Sequence, residues 1–527
     1  MKKRATILIV IFSILSFHTA FTQFSGISLN TPESYDGYTL FGDGNTAHLV
    51  DNCGGLVNEW FIGFGIYHPK ILINGNLITV ISTGVIEMDW DNNIINEVIH
   101  GRSDLRLKYE VEVLPNGNYL CVGRKDFLPS EFDDIGYDRS FSDPTEVDVV
   151  VELDRETGEI LWEWNISDHV IQQRDSSIAN YGILSENPQL LNMDAISQLD
   201  WDFRESFMIN GMDYNPTLDQ IVLSVRKMSE IVIIDHSTTT EEAAGDTGGK
   251  YGKGGDILYR WGNPQNYGRG TPEDRILYYQ HNPNWITEGE LKGHIICYNN
   301  GLFRPVVDGN GRYSTVPIIK TPLTEEGNYL LEKDSAFLPI IAPIEFSKVH
   351  TGTDFYSSYT SGAQYLPNGN IYITEGVNGR LLEIDSTGNL VWEYTVPNVN
   401  YLFRSERYSK DYIGFDGKDL TPDGLVPFDF SNYDCNLDGT SYATNLLLAS
   451  EIFNVNFNIA DKDLNINSIS GSNFSVGLYT MHGQMLMLQT DIAEFQNNLG
   501  HLPAGMYILN AVDQKTHVQL SKKIVIQ

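Results

Sequence analysis

The sequence is poor in cysteine, and its cysteines lie far apart. Four occur in 527 residues, at Cys53, Cys121, Cys297 and Cys435, and no two of them form a Cys-x-x-Cys pair. A cysteine-ligated zinc site is therefore not indicated. The spacing leaves two interpretations open: one or two disulfides in an oxidising compartment, or burial as small apolar residues in strands.

Basic residues are also scarce. The chain has 35 Lys and Arg against 69 Asp and Glu, a formal net charge of −34. Such a polyanion is repelled by nucleic acid and by anionic membrane surfaces, so nucleic-acid binding is excluded. An anionic substrate would have to meet a locally basic pocket.

Long apolar runs are missing beyond the N-terminus. There, Lys2, Lys3 and Arg4 precede an apolar run, which is followed by small and polar residues. This pattern predicts a secretory signal peptide over 1–22, whose apolar part is too short to span a bilayer. Because no later stretch is apolar enough for a transmembrane helix, we expect a protein exported through the periplasm, secreted or at the cell surface.

Standard catalytic motifs are absent as well. The sequence contains no Gly-x-x-x-x-Gly-Lys-[Ser/Thr] loop, no Gly-x-Ser-x-Gly elbow and no His-Glu-x-x-His. A nucleotide donor of sulfuryl or phosphoryl groups is therefore not supported. DWDNN (89–93) and DGNGR (308–312) lack the spaced oxygen ligands and closing glutamate of a calcium loop, so both are interpreted as solvated turns and no metal site is predicted.

What the sequence does contain is repeated phrases. ILINGNLITV (71–80), VLPNGNYLCV (113–122) and YLPNGNIYIT (365–374) each place an Asn-Gly pair between two apolar runs, which predicts a β-hairpin. A second phrase occurs as VVELDRETGEILWEWNI (150–166) and LLEIDSTGNLVWEYTV (381–396). In each copy an alternating strand ends in Asp, and after a turn a second strand closes on aromatic residues.

Repetition of hairpin pairs over this length is typical of a β-propeller. Blades of about 40–70 residues would give six between roughly residues 30 and 440, with the closing aromatics packed between neighbouring blades. The predicted fold class is all-β, a six-bladed β-propeller followed by a small C-terminal β-sandwich. An array of ordinary β-sandwiches is the alternative, and residues 401–434, after the last repeat, are expected to be irregular.

The C-terminal tail has a different pattern. FSVGLYTMHGQML, LPAGMYIL and KKIVIQ, all after residue 462, resemble the type IX secretion sorting domain. The resemblance implies a small β-sandwich that the secretion machinery removes or remodels during transport, and a carbohydrate-binding β-sandwich is the alternative. The expected domains are a signal peptide (1–22), a propeller (23–445) and a linker with the sorting domain (446–527).

The segment 207–286 is dense in polar groups that would face a common centre. It contains, in order, DYNP, LSVR, DHS, RWGNP, GRGTP and QH. This order resembles the bacterial arylsulfate sulfotransferases, propeller enzymes that use no nucleotide donor, and segments 361–385 and 407–422 add to the likeness. The resemblance implies transfer of a sulfuryl group from an aryl sulfate to a phenol, with no metal or organic cofactor.

The resemblance also assigns roles by motif position. His281 matches the family's nucleophile, Arg226 matches its sulfate-binding arginine, and Asn210 lies where a hydrogen bond to a sulfate oxygen would be made. A neutral imidazole is both a competent nucleophile and a good leaving group. An arginine beside it can hold two sulfate oxygens and stabilise the charge on them during transfer.

The sequence departs from the family at three places. LKYE (107–110) stands where the family has a His-His-Asp phrase, Met208 replaces a histidine, and Asn282 follows the nucleophile where an acid is common. We expect Lys108 or Tyr109, on the rim of the central channel, to replace a lost histidine as sulfate clamp or proton acceptor. Met208 is expected only to pack.

The predicted reaction is ping-pong transfer from an aryl sulfate donor to a phenolic acceptor through sulfohistidine at His281. The expected partners are these two substrates and the secretion machinery. A catalytically degraded propeller that binds a ligand at the cell surface is the main alternative. A quinone-dependent dehydrogenase, suggested by the TGEILWEW phrase, is disfavoured because no paired-carboxylate site for calcium and quinone is found.

Overall fold

The chain is nearly all-β, as predicted. It divides into two compact units, Met1–Thr440 and Ser441–Gln527. The predicted signal peptide and Cys435 lie outside the residues described. The computed structural model describes residues 26–63, 65–138, 144–196, 206–306, 312–347, 355–396, 401–422, 424–425, 453–458, 462–469, 471, 473–480, 485–513 and 519–526.

The first unit is built from short strands. Its described strands are β1 (Gly26–Asn30), β2 (Gly37–Asp43), β3 (Thr46–Val50), β4 (Gly55–Phe61), β5 (Lys70–Ile71), β6 (Leu77–Ile81), β7 (Gly84–Met88), β8 (Ile94–Ile99), β9 (Leu105–Val113), β10 (Tyr119–Asp126), β11 (Glu146–Leu153), β12 (Ile160–Asn165), β13 (Val170–Ile171), β14 (Leu191–Asn192), β15 (Ile209–Asn215), β16 (Gln220–Val225), β17 (Glu230–Asp235), β18 (Tyr259–Trp261), β19 (His281–Trp285), β20 (Ile295–Tyr298), β21 (Val316–Ile319), β22 (Ile344–Phe346), β23 (Gly362–Tyr365), β24 (Ile371–Glu375), β25 (Arg380–Ile384), β26 (Leu390–Thr395), β27 (Ser405–Ser409) and β28 (Gly424–Leu425). The described α-helices are α1 (Pro129–Asp134), α2 (Met193–Ile196) and α3 (Thr240–Ala243).

Within the described residues of this unit, six antiparallel sheets of four or five strands are arranged along the chain. They are sheet 1 (β5–β8), sheet 2 (β9–β12), sheet 3 (β15–β18), sheet 4 (β19–β22), sheet 5 (β23–β26, with β1 on β26) and sheet 6 (β27-β2-β3-β4-β28). Sheet 6 therefore joins strands from both ends of the unit. The expectation that 401–434 is irregular is wrong for Ser405–Ser409, because this strand pairs with β2 at the opposite end of the unit, which no local pattern reveals.

The repeated Asn-Gly phrases form the predicted hairpins β5–β6, β9–β10 and β23–β24. The asparagine after each glycine reaches a glutamate in the third strand of its own sheet. These Nδ2–Oε1 hydrogen bonds join Asn76 to Glu87, Asn118 to Glu152 and Asn370 to Glu383, at 2.8, 2.6 and 2.6 Å. The two repeated phrases are therefore complementary parts of one structural unit.

The closing tryptophans lie between sheets, as predicted. Each indole N–H donates to a backbone carbonyl in the segment of the next sheet. The pairs are Trp60 with Asp89, Trp164 with Gly255, Trp261 with Pro339 and Trp392 with Asn52, at 2.8, 2.8, 2.7 and 2.8 Å. A buried indole N–H that finds an acceptor in the neighbouring sheet fixes the spacing of the two sheets.

The apolar cores that the described residues form in this unit also lie between sheets. One cluster is shared by each of the pairs 1–2, 2–3, 3–4, 4–5, 5–6 and 6–1. In the last of these, Leu49 and Trp60 of sheet 6 belong to the same cluster as Leu77 and Met88 of sheet 1. The first strands of sheets 2 to 6 also contact one another, in the order β9, β15, β19, β23 and β27.

His236 links sheets 2 and 3. Its Nδ1 lies 2.8 Å from Asp219 and its Nε2 lies 3.2 Å from Glu152. Burial alone would lower the pKa of His236, but the hydrogen bonds to these two carboxylates outweigh it and raise the pKa to about 9. The charged imidazole therefore stabilises the fold most below its ordinary pKa of about 6.5, and this contribution is lost as the pH rises through about 9.

We expect the wild-type melting temperature to fall between pH 7 and pH 10 by more than that of His236→Gln, which carries no titrating ring. Thermal unfolding followed by circular dichroism over this range measures the difference. Parallel pH profiles for the two proteins would show that His236 is not charged in the folded state.

The second unit has two antiparallel sheets in its described residues, β29-β30-β33 and β32-β31-β34-β35. Leu464 and Ile466 of one sheet share an apolar cluster with Val476 and Leu509 of the other. The strands are β29 (Phe453–Asn458), β30 (Asp463–Ser468), β31 (Phe474–Thr480), β32 (Met485–Ile492), β33 (Glu494–Asn498), β34 (Gly505–Asp513) and β35 (Gln519–Ile526).

The cysteines show both of the states considered. Cys53 is disulfide-bonded, whereas Cys121 and Cys297 are free and buried. No helix within the described ranges is long and apolar enough to cross a membrane.

Candidate active site

Three of the predicted site segments occupy the same position in consecutive sheets. The first strands β9, β15 and β19 each carry a register shift against their partners: opposite Cys121 to Gly123, between Ile209 and Met212, and between His281 and Asn284. A β-bulge turns side chains away from the regular alternation of a strand. Because these strands lie against one another, the bulges bring Lys108, Asn210 and His281 into one region.

His281 is held in a defined tautomer. Its Nδ1 lies 2.6 Å from Oδ1 of Asn300, and Nδ2 of Asn300 donates to the carbonyls of Ser357 and Thr360 at 2.7 and 3.0 Å. Those two donated bonds orient the amide with its oxygen towards the imidazole. Nδ1 therefore carries the hydrogen, and Nε2 carries the lone pair that a nucleophile needs.

His281 is also neutral. The side chain is buried, and burial together with the nearby Arg226 guanidinium lowers the pKa of His281 to about 3. Nε2 accepts one long hydrogen bond, 3.2 Å from the Thr360 backbone N–H. Phe403 presents its ring edge-on, with the ring centroids 6.2 Å apart. A neutral imidazole with a fixed lone pair is the reactive form for attack on an electrophile.

Arg226 lies in a buried turn. Strand β16 ends at Val225, and Arg226 begins the turn to β17. Its guanidinium carbon lies 4.8 Å from the centroid of the Tyr279 ring, and Nη1 lies 3.2 Å from Sδ of Met208. Met208, which stands at a histidine position of the family, thus packs against the arginine, as expected.

Asn210 offers unused hydrogen-bonding capacity. Its Nδ2 donates to the Gln280 backbone carbonyl at 3.0 Å, and the backbone carbonyl of Asn210 accepts from Nη2 of Arg404 at 3.1 Å. Oδ1 is buried without a hydrogen-bond partner among the described residues. A buried amide oxygen without a hydrogen bond destabilises the fold unless a ligand donates one to it.

Lys108 is buried, so the expectation that it lies on a rim is wrong. Only 4% of the residue is exposed, and Nζ lies 2.8 Å from Oδ1 of Asp148. The same carboxylate accepts the backbone N–H groups of Met208 and Ile209. A lysine in an apolar layer needs such a partner, which holds it there. Tyr109 is half-buried, with its ring stacked on Phe403 at 4.8 Å.

A buried ionic group that was not predicted from the sequence lies beside these residues. Glu110, in the same bulge as Lys108, pairs with Arg404 and lies 2.6 Å from Nδ1 of His68. Nε2 of His68 in turn lies 2.7 Å from Glu406. The one local signal was Glu110 at the end of LKYE, where the family phrase also ends in an acid.

The described residues contain no cluster of three or more His, Cys, Asp or Glu side chains that could hold a metal ion. Segment 89–93 forms the turn between β7 and β8, in which residues 91–93 are exposed and Trp90 packs against Trp60. Most of segment 308–312 lies outside the described residues.

Comparison with protein families decides the relationship. The model of the Arylsulfotransferase (ASST) family matches residues 65–395, which span sheets 1 to 5 and all the bulges described above. The chain belongs to the arylsulfotransferase family. Residues 449–527 match the secretion system C-terminal sorting domain, which indicates export of this arylsulfotransferase to the surface or the medium.

Solved structures give only distant likenesses to this arylsulfotransferase. A protein of unknown function from Bacteroides caccae is 13% identical, with 70% of this chain and 98% of that chain covered and a TM-score of 0.38. Regucalcin, a calcium-binding protein from Agrobacterium tumefaciens, is 10% identical over 72% and 95% of the chains, with a TM-score of 0.26. PorZ, a surface component of the type IX secretion system of Porphyromonas gingivalis, is 10% identical over 93% and 75%, with a TM-score of 0.20.

No curated protein matches this chain.

Proposed function

We propose that this chain is an exported enzyme that moves a sulfuryl group from an aryl sulfate to a phenolic acceptor through sulfohistidine at His281. The observation that carries the proposal is the imidazole itself, buried, neutral and oriented by Asn300 with Nε2 unprotonated. Membership of the arylsulfotransferase family supplies the type of group transferred.

The proposed reaction has two steps, one that moves the sulfuryl group onto His281 and one that moves it off. In the first, Nε2 of His281 attacks the sulfur, the bond between sulfur and the aryl oxygen breaks, and the phenolate takes up a proton. In the second, an acceptor phenol loses its proton and attacks the sulfur, and the N–S bond breaks to regenerate the neutral imidazole. Dividing one difficult transfer into two steps with a good leaving group is the gain from covalent catalysis.

Arg226 and Asn210 are proposed to hold the sulfuryl oxygens. Arg226 is close enough for its charge to lower the pKa of His281, and Asn210 has an amide with unused capacity in the same region. Lys108 contributes positive charge at the same layer, although Asp148 neutralises it. Fixed positive charge in a dry site stabilises the charge that spreads over the sulfuryl oxygens during transfer.

The aryl group is proposed to bind on a cluster of three aromatic rings. Tyr109 stacks on Phe403, and Tyr67 packs edge-on against both at 5.1 and 5.4 Å. Phe403 also borders His281. Aromatic rings recognise other aromatic rings by stacking and edge contacts, so Tyr109 serves as a substrate-binding residue rather than as a replacement histidine.

The site is proposed to lie in the central channel of a six-bladed β-propeller. Six apolar clusters shared by successive sheets, including the pair formed by sheets 6 and 1, support a closed ring. The shared core of the second unit supports a β-sandwich for the sorting domain. The proposed boundaries remain 23–445 for the propeller and 446–527 for the linker and sorting domain, after a signal peptide over 1–22.

A binding module without catalytic activity is the second candidate. It is favoured by Met208, which cannot transfer protons, and by Asp148, which holds Lys108 in an ion pair.

Release of a coloured phenol from an aryl sulfate distinguishes the two candidates. We expect the purified mature protein to release about one equivalent of nitrophenol from nitrophenyl sulfate alone, and to turn over repeatedly only when a second phenol is present, with ping-pong kinetics. Absence of release for several donors and acceptors, with bound aryl sulfate detected by calorimetry, would contradict the transferase and favour the binding module.

A further inference from the structure

A chain of three side chains lies beside the proposed site. Oε2 of Glu110 is 2.6 Å from Nδ1 of His68, and Nε2 of His68 is 2.7 Å from Oε1 of Glu406. The His68 and Glu110 side chains are 2% and 0% exposed, and that of Glu406 is 25% exposed. We call these three residues the Glu–His–Glu chain.

The distances require a proton beyond those of two carboxylates and a neutral imidazole. A neutral imidazole has one N–H, which can serve only one of the two oxygens. Two unprotonated oxygen and nitrogen lone pairs would otherwise face each other at hydrogen-bond distance inside the protein. One additional proton must therefore reside on His68 or on one of the two glutamates.

The surroundings indicate where this proton rests. Arg404 pairs with Glu110 and favours the ionised form of that carboxylate. Burial lowers the pKa of His68 well below its ordinary range, and burial raises the pKa of Glu406. These directions favour a protonated Glu406 that donates to Nε2, with Nδ1–H of His68 donating to ionised Glu110.

Other charges face the chain from neighbouring strands. Lys70 pairs with Glu112, and its charge also acts on His68 and Glu406. Burial, followed by the charge of Glu112, raises the pKa of Asp213 to about 7. Within this cluster, the short contacts on both sides of His68 are the ones that require an extra proton between hydrogen-bonded partners.

The Glu–His–Glu chain connects the proposed site with a cavity. At one end, Glu110 shares the bulge of Lys108, and its partner Arg404 donates to the carbonyl of Asn210. At the other end, Glu406 and His68 line a cavity of about 600 Å³ together with Glu112, Asp213 and Asn284. Asn282 and Met212, one and two positions after His281 and Asn210, also line this cavity. It therefore begins next to the proposed site and extends roughly 10 Å along the same strands.

The proposed reaction needs a group that gives up one proton in the first step and takes one back in the second. The first step delivers a proton to the departing phenolate, and the second step takes one from the acceptor phenol, so the net change is zero. Met208 has no titratable proton, and the ammonium of Lys108 is paired with Asp148.

We propose that the Glu–His–Glu chain supplies and recovers this proton, an inference that rests on the proposed transferase function. In the first step the Glu406 proton passes to Nε2 of His68, the Nδ1 proton passes to Glu110, and Glu110 releases a proton to the phenolate. The chain is then one proton short and draws it back, by the reverse path, from the acceptor phenol. His68 and Glu406 act through Glu110 and are positioning residues rather than catalytic ones.

Donors whose leaving phenols differ in acidity provide the test. A nitrophenolate leaves without protonation, whereas an unsubstituted phenolate, with a pKa of about 10, needs it. The measurement is kcat/KM for a series of aryl sulfates with one acceptor, in wild type, Glu406→Gln and His68→Asn. Glutamine keeps a donor to Nε2 but cannot release a proton, so the contact survives and the transfer does not.

We expect Glu406→Gln to keep nitrophenyl sulfate activity within about 3-fold of wild type and to lose roughly 10²-fold or more with phenyl sulfate. The matched control is His169→Asn. His169 is equally buried and bonds Asp256 at 3.0 Å, but it lies between sheets 2 and 3, outside the proposed site. It should leave the dependence on leaving-group acidity unchanged.

If Glu406→Gln lowers kcat/KM equally for all donors, or for none, the Glu–His–Glu proposal is wrong. Activity of the wild type would still support the proposed transferase function. Wild type inactive with every donor would instead overturn the proposed function itself. If His68→Asn does not fold, Glu406→Gln alone decides, because its side chain reaches the cavity and is the more tolerant position.

Discussion

His281→Asn is expected to lower sulfuryl transfer by roughly 10⁴-fold or more, because it removes the atom that forms the covalent intermediate. Asparagine is chosen because its amide can still donate to Oδ1 of Asn300 and so preserve the local structure. The measurement is kcat/KM for nitrophenyl sulfate with a phenolic acceptor, at enzyme concentrations high enough to detect a small residual rate.

This experiment needs a folding control and has one outcome that would contradict the prediction. The circular dichroism spectrum and melting temperature of His281→Asn should match those of wild type, which shows that activity is not lost through unfolding. Residual transfer within 10-fold of wild type would mean that sulfuryl transfer is direct, or that another group is the nucleophile.

Arg404→Met is expected to cost about 3–5 kcal/mol of the free energy of unfolding. Arg404 is 1% exposed, and it is the cation that pairs with the fully buried Glu110. Removing it leaves a carboxylate in an apolar environment with His68 as its other partner. Urea unfolding of the mature protein, followed by tryptophan fluorescence, measures the loss.

Lys410→Met is the matched control. Lys410 also forms an ion pair, with Asp36 at 2.6 Å, but its side chain is 56% exposed and that of Asp36 69%. Exposed pairs contribute about 0–1 kcal/mol, so this variant should unfold close to wild type. In the double variant Arg404→Met with Glu110→Gln, part of the lost stability should return, because no buried charge is left alone. Equal effects of the two single variants would contradict the role given to the Arg404–Glu110 pair.

The local parts of the fold could be predicted from the sequence. Asn-Gly pairs specify hairpins through the backbone conformation of the turn itself, and β5–β6, β9–β10 and β23–β24 form as expected. The closing tryptophans were predicted to lie between sheets because large aromatic side chains at a fixed place in a repeat need a neighbour to bury them.

Long-range partnerships could not be predicted. Strand β27 was missed because it completes a sheet begun near the N-terminus. Glu406 reaches His68 across 338 residues of sequence, and Glu110 reaches it across 42. Spacing patterns report only on neighbours along the chain, so neither contact has a local signature.

The chemistry of individual residues showed the same limit. His281, Arg226 and Asn210 were found through an ordered set of motifs, and the structure brings His281 and Arg226 close enough to interact electrostatically. The burial of Lys108 could not be predicted, because it depends on an ion pair with Asp148, which lies 40 residues later in the sequence.

The most direct test of the account is a search for sulfuryl on His281 itself. Cleavage after Arg275 and Lys292 gives a peptide, residues 276–292, in which His281 is the sole histidine. We expect protein incubated with an aryl sulfate and no acceptor, then digested near neutral pH, to carry one sulfuryl group on that histidine. The group should disappear when a phenol is added before digestion. An unmodified peptide from protein that does transfer sulfuryl groups to phenol, or a sulfuryl group that persists after acceptor is added, would contradict a sulfohistidine intermediate.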